Sequence, residues 1–436
     1  MKKFAPLALL AATIIIGTGY IVESSMEPAQ AATTVQFHGP NTMSAAISNA
    51  DAQVAAKRSL LAEADGEWLR SEVLAIALME RFRLTGELSD LTEARALLDG
   101  ANEAAPRPSG PNLTRARAAL TLHDLAGAEQ SLARFRETVV QLPDALAAAD
   151  AMAGDIAFQR GDLAAAERFF ERSHGEGDVG AAARLANVAL WRGEPGEARA
   201  MIANPLARAS TTPESYARSA LQLANIAYAR GDIDDAGHWV EEAHDAFGGF
   251  WLADVYSAQQ LGAKGDWAGA IARLERIATE TGDPEVMDLL AGFLQHDDAD
   301  ERAARWIRKA DASWAETLAS APDAYRLHAA EHHLDFGDPA VALDLARVEV
   351  GKRPFGEAIE VYASALTATG NPREALRWLE RAEARGFRSV SLDMARGEAL
   401  DALDRSPDAE RYYRRAEAIN PAARGDLRKL LRFGHY

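Results

Sequence analysis

The chain has 436 residues, 48% hydrophobic and 7% aromatic, with a formal net charge of −18. So acidic a surface repels phosphate, and no nucleic-acid partner is expected. Cysteine is absent, which excludes disulfides, thiolate metal sites and a cysteine nucleophile.

The first 31 residues carry a targeting pattern. Lys2 and Lys3 precede an uncharged run from Phe4 to Val22, and Ala29-Gln30-Ala31 follows as a small-x-small cleavage pattern. Either residues 1–31 are a secretory signal removed after Ala31, or residues 4–22 remain as an inner-membrane anchor. Both keep the two lysines in the cytoplasm, so a periplasmic or extracytoplasmic location is expected for the rest. Residues 32–65 are expected to form a polar linker and an N-terminal capping helix, the apolar periodicity running from Thr42 to Ala64.

From residue 66 to 421 the sequence repeats itself. Residues 185–193 read LANVALWRG and residues 223–231 read LANIAYARG. An alanine falls five residues after each turn glycine in Gly161–Ala166, Gly193–Ala198, Gly231–Ala236, Gly265–Ala270, Gly337–Ala342 and Gly370–Ala375. Ala128, Ala303 and Ala409 fill the places where His123, Asp298 or Asp404 stands at the turn, and Ala94 fits in front after a longer turn at Gly86. A second small residue lies seven before the turn, from Ala116 and Gly154 through to Ala363 and Gly397. Apolar residues at i and i+4 mark helix faces, and a Gly-acid step ends one helix and caps the next. Each unit is a helical hairpin that cannot bury its own face, so neighbours must stack.

In the last unit Gly397, Ala409, Tyr413, Ala416 and Pro421 give the small–Ala–aromatic–Ala–Pro pattern of the tetratricopeptide repeat, which this array resembles. The resemblance implies an all-α fold, a right-handed superhelical solenoid of about nine to ten hairpins. Residues 422–436 are expected to add a C-terminal capping helix with a basic face at Arg424, Arg428, Lys429 and Arg432.

The resemblance also implies a role: a non-catalytic scaffold or adaptor that binds another protein or a peptide in a concave groove lined by first helices. Asn187 and Asn225 fall one residue after a small packing residue, a place that faces the groove in that family. An amide there both donates and accepts, as a peptide backbone requires. Arg184 and Arg218 lie near the same face, and Trp191 and Tyr228 end the same helices. These six residues are the candidate partner-binding set. Two alternatives stay open: a structural part of an envelope assembly that binds through its convex face or termini, and a zinc hydrolase. The second rests on His328-Ala-Ala-Glu331-His332, an H-x-x-E-H spacing that puts His328 and His332 on one helix face as metal candidates. Ala330 and Gly337 already explain that segment as the first helix of a repeat, so no metal, no other cofactor and no catalysis are expected.

Overall fold

The computed structural model describes residues 35–63, 67–173, 175, 178–425 and 430–431. The targeting segment 1–31 lies outside the described residues, as do 426–429 and 432–436 of the expected capping helix. Among the described residues no helix is long and apolar enough to cross a membrane.

Among the described residues, a short strand β1 (Gln36–Phe37) and helix α1 (Met43–Ala62) lead into twenty helices that pair as ten hairpins. The first hairpins are α2 (Trp68–Thr85) with α3 (Leu88–Ala104), α4 (Asn112–Thr121) with α5 (Leu125–Arg136), and α6 (Pro143–Gln159) with α7 (Leu163–Ser173). Then come α8 (Val179–Trp191) with α9 (Pro195–Leu206), the strand β2 (Ser210–Thr211), and α10 (Pro213–Ala229) with α11 (Ile233–Ala246). The array continues with α12 (Trp251–Ala263) and α13 (Trp267–Thr281), α14 (Pro284–His296) and α15 (Asp300–Ser320), and α16 (Pro322–Asp335) and α17 (Pro339–Lys352). It ends with α18 (Gly356–Ala368) and α19 (Pro372–Ala384), then α20 (Val390–Asp401) and α21 (Ser406–Ile419). The fold is an all-α helical-repeat solenoid, and it has the tetratricopeptide-like hairpins that the sequence resembles.

The repeating residues do what their spacing requires. Ala94, Ala128, Ala166, Ala198, Ala236, Ala270, Ala342, Ala375 and Ala409 are all 0% exposed, and Ala303 is 1%. Each sits where the two helices of a hairpin cross, and a larger side chain there would force the backbones apart. The turn residues take left-handed backbone: φ is +76° at Gly161 and +86° at Gly265, and it stays positive where His123, Asp298 and Asp404 replace glycine. Gly337 is the exception; a Cβ there would meet His333 Nδ1 at 2.5 Å, so the position needs glycine for closeness instead. Asp124, Asp232 and Asp266 cap the following helices by accepting from Gly127 N, Asp235 N and Gly269 N.

The small residue of the first helix is matched to its partner on the second. Where that partner is aromatic, the small residue is glycine: a Cβ on Gly154 would stand 2.3 Å from the ring of Phe170, and one on Gly397 2.2 Å from that of Tyr413. Where it is aliphatic, as Ile202, Val240 or Leu274 is, alanine at 186, 224 or 258 fits and is fully buried. Pairwise volume is conserved across the hairpin, as close-packed interiors demand.

The solenoid coils until successive turns touch. At its start β1 pairs in parallel with β2, Gln36 against Ser210 and Phe37 against Thr211. Met43 N donates to Gly248 O at 2.9 Å, Arg218 Nη2 donates to Arg83 O at 2.8 Å, and Arg83 ion-pairs with Glu214. Further on, the turns of α6–α7, α8–α9 and α10–α11 meet the links that precede α18, α20 and the chain's last segment. Arg160 Nη1 donates to Lys352 O at 3.3 Å, Arg388 N to Trp191 O at 2.6 Å, and Asn420 Nδ2 to Tyr228 O at 3.2 Å. These contacts form a seam between coils.

Candidate ligand cavity

Inside the coils lies a cavity of about 530 Å³, within the range of ligand sites. One wall comes from the ends of α8 and α10, with Asn187, Leu190, Trp191, Asn225 and Tyr228. The other comes from α16, α18 and α20, with Glu331, Asp335, Glu357, Glu360 and Glu398. Phe158 and Phe355 also line it, and they pack on each other with centroids 6.5 Å apart.

Of the six residues singled out from sequence, four line this cavity and two do not. Asn187 Oδ1 accepts from Gln222 Nε2 at 3.0 Å, so it also ties α8 to α10. The Trp191 ring meets Phe387 edge-on with centroids 6.1 Å apart, and it covers Gly356 so closely that a Cβ there would stand 2.4 Å from it. Tyr228 is 4% exposed; its hydroxyl donates to Gln260 Oε1 at 3.0 Å, and burial holds it in the neutral form. Arg184 is engaged elsewhere, on Asp155 at 2.9 Å. Arg218 bonds Glu214 at 2.9 Å and lies over the Phe250 ring. The expectation that these arginines accompany the two amides is corrected by these placements. Both guanidiniums are drawn off by carboxylates within reach of their own helices.

Sequence reasoning missed the opposite wall. Glu331 and Glu398 directly follow the small residues Ala330 and Gly397, the place that Asn187 and Asn225 hold in their own repeats, and that recurrence is a signal that was there to be found; Glu357, at the start of α18, carries no such signal. Glu357 is 9% exposed, and burial together with the neighbouring Glu331 charge pushes its carboxyl up to about 8.

The two histidines of the H-x-x-E-H segment engage different partners. His328 lies between Glu285 and Glu331, each at 3.4 Å, and stacks on Trp314. Burial opposes its charged form, but Glu285, Glu331 and Glu357 outweigh that and push it up to about 10. His332 engages Asp288 through Nδ1 at 2.7 Å and Asp311 through Nε2 at 2.8 Å. Among the described residues, the group with metal-ligand spacing is Asp311, His332 and His333, and His328 is not in it. The pairing of His328 with His332 as metal candidates is therefore corrected: each imidazole is sandwiched between its own carboxylates.

This cluster sets a pH dependence. The folded value of His328, about 10, lies above its ordinary 6.5. Its contribution is therefore full below 6.5 and lost as pH rises through 10. Burial also raises Glu285 from 4.5 to about 7 and Glu357 from 4.5 to about 8. Both bind protons in the folded state that the unfolded chain has released, so their effect has the same sign. Tm is expected to be several degrees lower at pH 9 than at pH 6, and His328→Gln is expected to make the fall between pH 8 and 10 shallower, leaving the part due to Glu357. A scan in which Tm rises over that range contradicts this.

Compared with known proteins, the chain matches no family model and no curated protein. Among solved structures it is similar to a monomeric mutant of IFIT1 with Gppp-AAAA, at 15% identity over 80% of this chain and 90% of that one, with a TM-score of 0.40. It is similar to the human IFIT1 dimer with PPP-AAAA at 14% identity, over 84% of this chain and 94% of that one, with a TM-score of 0.39. Yeast Tom70 gives 14% identity, 85% of this chain, 89% of that one and a TM-score of 0.36. The helical repeat itself is shown by this chain's own ten hairpins.

Proposed function

We propose that the chain is a non-catalytic binding scaffold of the cell envelope, exported or anchored through its first residues, which holds a segment of another protein in the cavity between its coils. The observation that carries this is the convergence of Asn187, Trp191, Asn225 and Tyr228 on one cavity of about 530 Å³. Amides beside aromatic rings suit an extended segment, bonding its backbone and covering its side chains. The net charge of −18 and the carboxylates of the far wall speak against a phosphate-bearing ligand.

The test is affinity capture from envelope extract with residues 32–436, run beside Asn187→Ala/Asn225→Ala. A partner lost by the double variant supports groove binding. A partner kept by both sinks it. A second surface supports the alternative of binding outside the cavity: Val139, Val140 and Leu142, between α5 and α6, are 91%, 76% and 65% exposed. Apolar side chains this exposed suit contact with a partner. Val139→Ser/Val140→Ser abolishes capture if that surface makes the contact.

A further inference from the structure

One cluster takes no part in the cavity. Asp311 on α15 and the adjacent His332 and His333 on α16 bring a carboxylate oxygen and two imidazole nitrogens within 4.8 Å of one another. None of the three is among the residues that line the cavity. Helix α15 ends one hairpin and α16 begins the next, so the cluster bridges a joint between repeats.

The hydrogen bonds fix how His332 is presented. Asp288 of α14 accepts from Trp314 Nε1 through Oδ2 at 2.8 Å, and its Oδ1 stands 2.7 Å from His332 Nδ1. An ionised carboxylate only accepts, so that contact places a proton on Nδ1. The lone pair of the neutral ring is then at Nε2, which faces Asp311 Oδ1 at 2.8 Å. Two lone pairs do not stand that close with nothing between them; a proton or a metal ion bridges them. A carboxylate behind one imidazole nitrogen, with the other nitrogen presented outward, is the arrangement that orients histidine ligands in metal sites.

The surroundings suit a metal. The His333 ring lies beside that of His332, with centroids 5.3 Å apart, and its Nδ1 is buried without a hydrogen-bond partner among the described residues. A Cβ on Gly337 would fall 2.5 Å from that nitrogen, so the glycine leaves the ring its room. The His332 side chain is 0% exposed, whereas that of Asp311 is 48% exposed, which gives an ion a way in and water a place on it. Zinc–ligand bonds of about 2.0–2.2 Å at tetrahedral angles set donor atoms about 3.3 Å apart. Nε2 and Oδ1 need only separate by about half an ångström to take an ion between them. Two imidazoles and one carboxylate suit zinc and its transition-metal neighbours, not magnesium or calcium, whose ligands are oxygens.

We propose that Asp311, His332 and His333 hold a zinc-class divalent cation, with water completing its coordination, and that the ion fastens the α14–α15 hairpin to α16. The ion replaces the proton between Nε2 and Oδ1, which leaves to solvent. Its charge is matched by Asp311 and by Asp288 behind the ring. This role is independent of partner binding in the cavity.

The test titrates zinc into the purified full chain after chelator stripping, followed by calorimetry and by metal analysis of the dialysed protein. One zinc per chain is expected. Asp311→Asn and His333→Gln, at residues that are not fully buried, are each expected to weaken binding by at least about tenfold, and Asp288→Asn by about tenfold to a hundredfold. His328→Gln is expected to keep the zinc. Cobalt in place of zinc gives a direct readout: visible d–d absorption in the natural chain, lost in His333→Gln. Zinc at about a hundredfold excess over its Kd is expected to raise Tm by about 3–5 °C, and magnesium not at all.

Failure of the natural chain to retain zinc overturns the proposal. So does equal binding by Asp311→Asn and His333→Gln, which would make other groups the ligands. Loss of zinc in His328→Gln, with the helical circular-dichroism signal intact, overturns the ligand set. Zinc that binds without raising Tm overturns the fastening role. Partner capture through Asn187 and Asn225 reads the scaffold function separately, and its outcome does not bear on the metal.

Discussion

Glu349→Ala is expected to lower stability by about 3–5 kcal/mol, the cost of stranding buried charge. Glu349 is 0% exposed, and its neighbours Arg353 and Arg326 are 3% and 9% exposed. Arg353 Nε and Arg326 Nη1 both donate to its carboxylate, the second at 3.3 Å. Burial already pulls Arg353 below its ordinary value against the pull of Glu349. Without the carboxylate, Arg353 would keep only Gln159 and more distant acids as counterweights. Because Arg353 Nη1 donates to Gln159 Oε1 at 3.2 Å across the seam, the damage reaches the neighbouring coil. The double variant Glu349→Leu/Arg353→Leu removes most of the stranded charge and is expected to cost less than Glu349→Leu alone. Thermal and denaturant unfolding of the three chains checks this; a single-variant loss below about 1 kcal/mol contradicts it.

The turn glycines are expected to divide into two classes. Gly161, Gly231, Gly265 and Gly370 all have φ between +74° and +86°. An alanine at any of them pays a left-handed backbone penalty of about 1–2 kcal/mol. At Gly265 and Gly370 nothing else lies within 4 Å of the added Cβ. At Gly161 it would stand 2.4 Å from Pro354 O, and at Gly231 2.4 Å from Asn420 Oδ1, both on the next coil. Gly161→Ala and Gly231→Ala are therefore expected to cost about 1–3 kcal/mol more than the other two, the usual penalty of overpacking. Equal losses at all four positions would show that the seam yields freely.

Much of this architecture was legible in the residues. The ten alanines mark helix crossings, since only a small side chain fits there at every repeat, and they are buried without exception. The turns were legible even without glycine, because His123, Asp298 and Asp404 keep the phase of the pattern. Helix ends and faces are local properties, set within a few residues. The cavity was half legible: Asn187 and Asn225 mark a face by their place after a packing residue. Its acidic wall and the seam depend on how far the solenoid winds before it meets itself. That winding accumulates from small rotations at every hairpin, and no single residue encodes it. The two arginines illustrate the limit: helix position put Arg184 and Arg218 near the amides, but long side chains follow the nearest carboxylate, Asp155 in one case and Glu214 in the other.

The seam has a consequence for how the chain folds and comes apart. An open repeat array needs only neighbour-to-neighbour contacts, so it can fray from its ends one unit at a time. Here the bonds Arg160–Lys352 and Tyr228–Asn420 each join residues 192 apart in sequence. Such high-contact-order links close late, after the intervening hairpins exist, and the loop entropy they must overcome slows that step. Once formed, they couple the middle of the array to its end, so unfolding proceeds in large cooperative blocks and not from the tips inward.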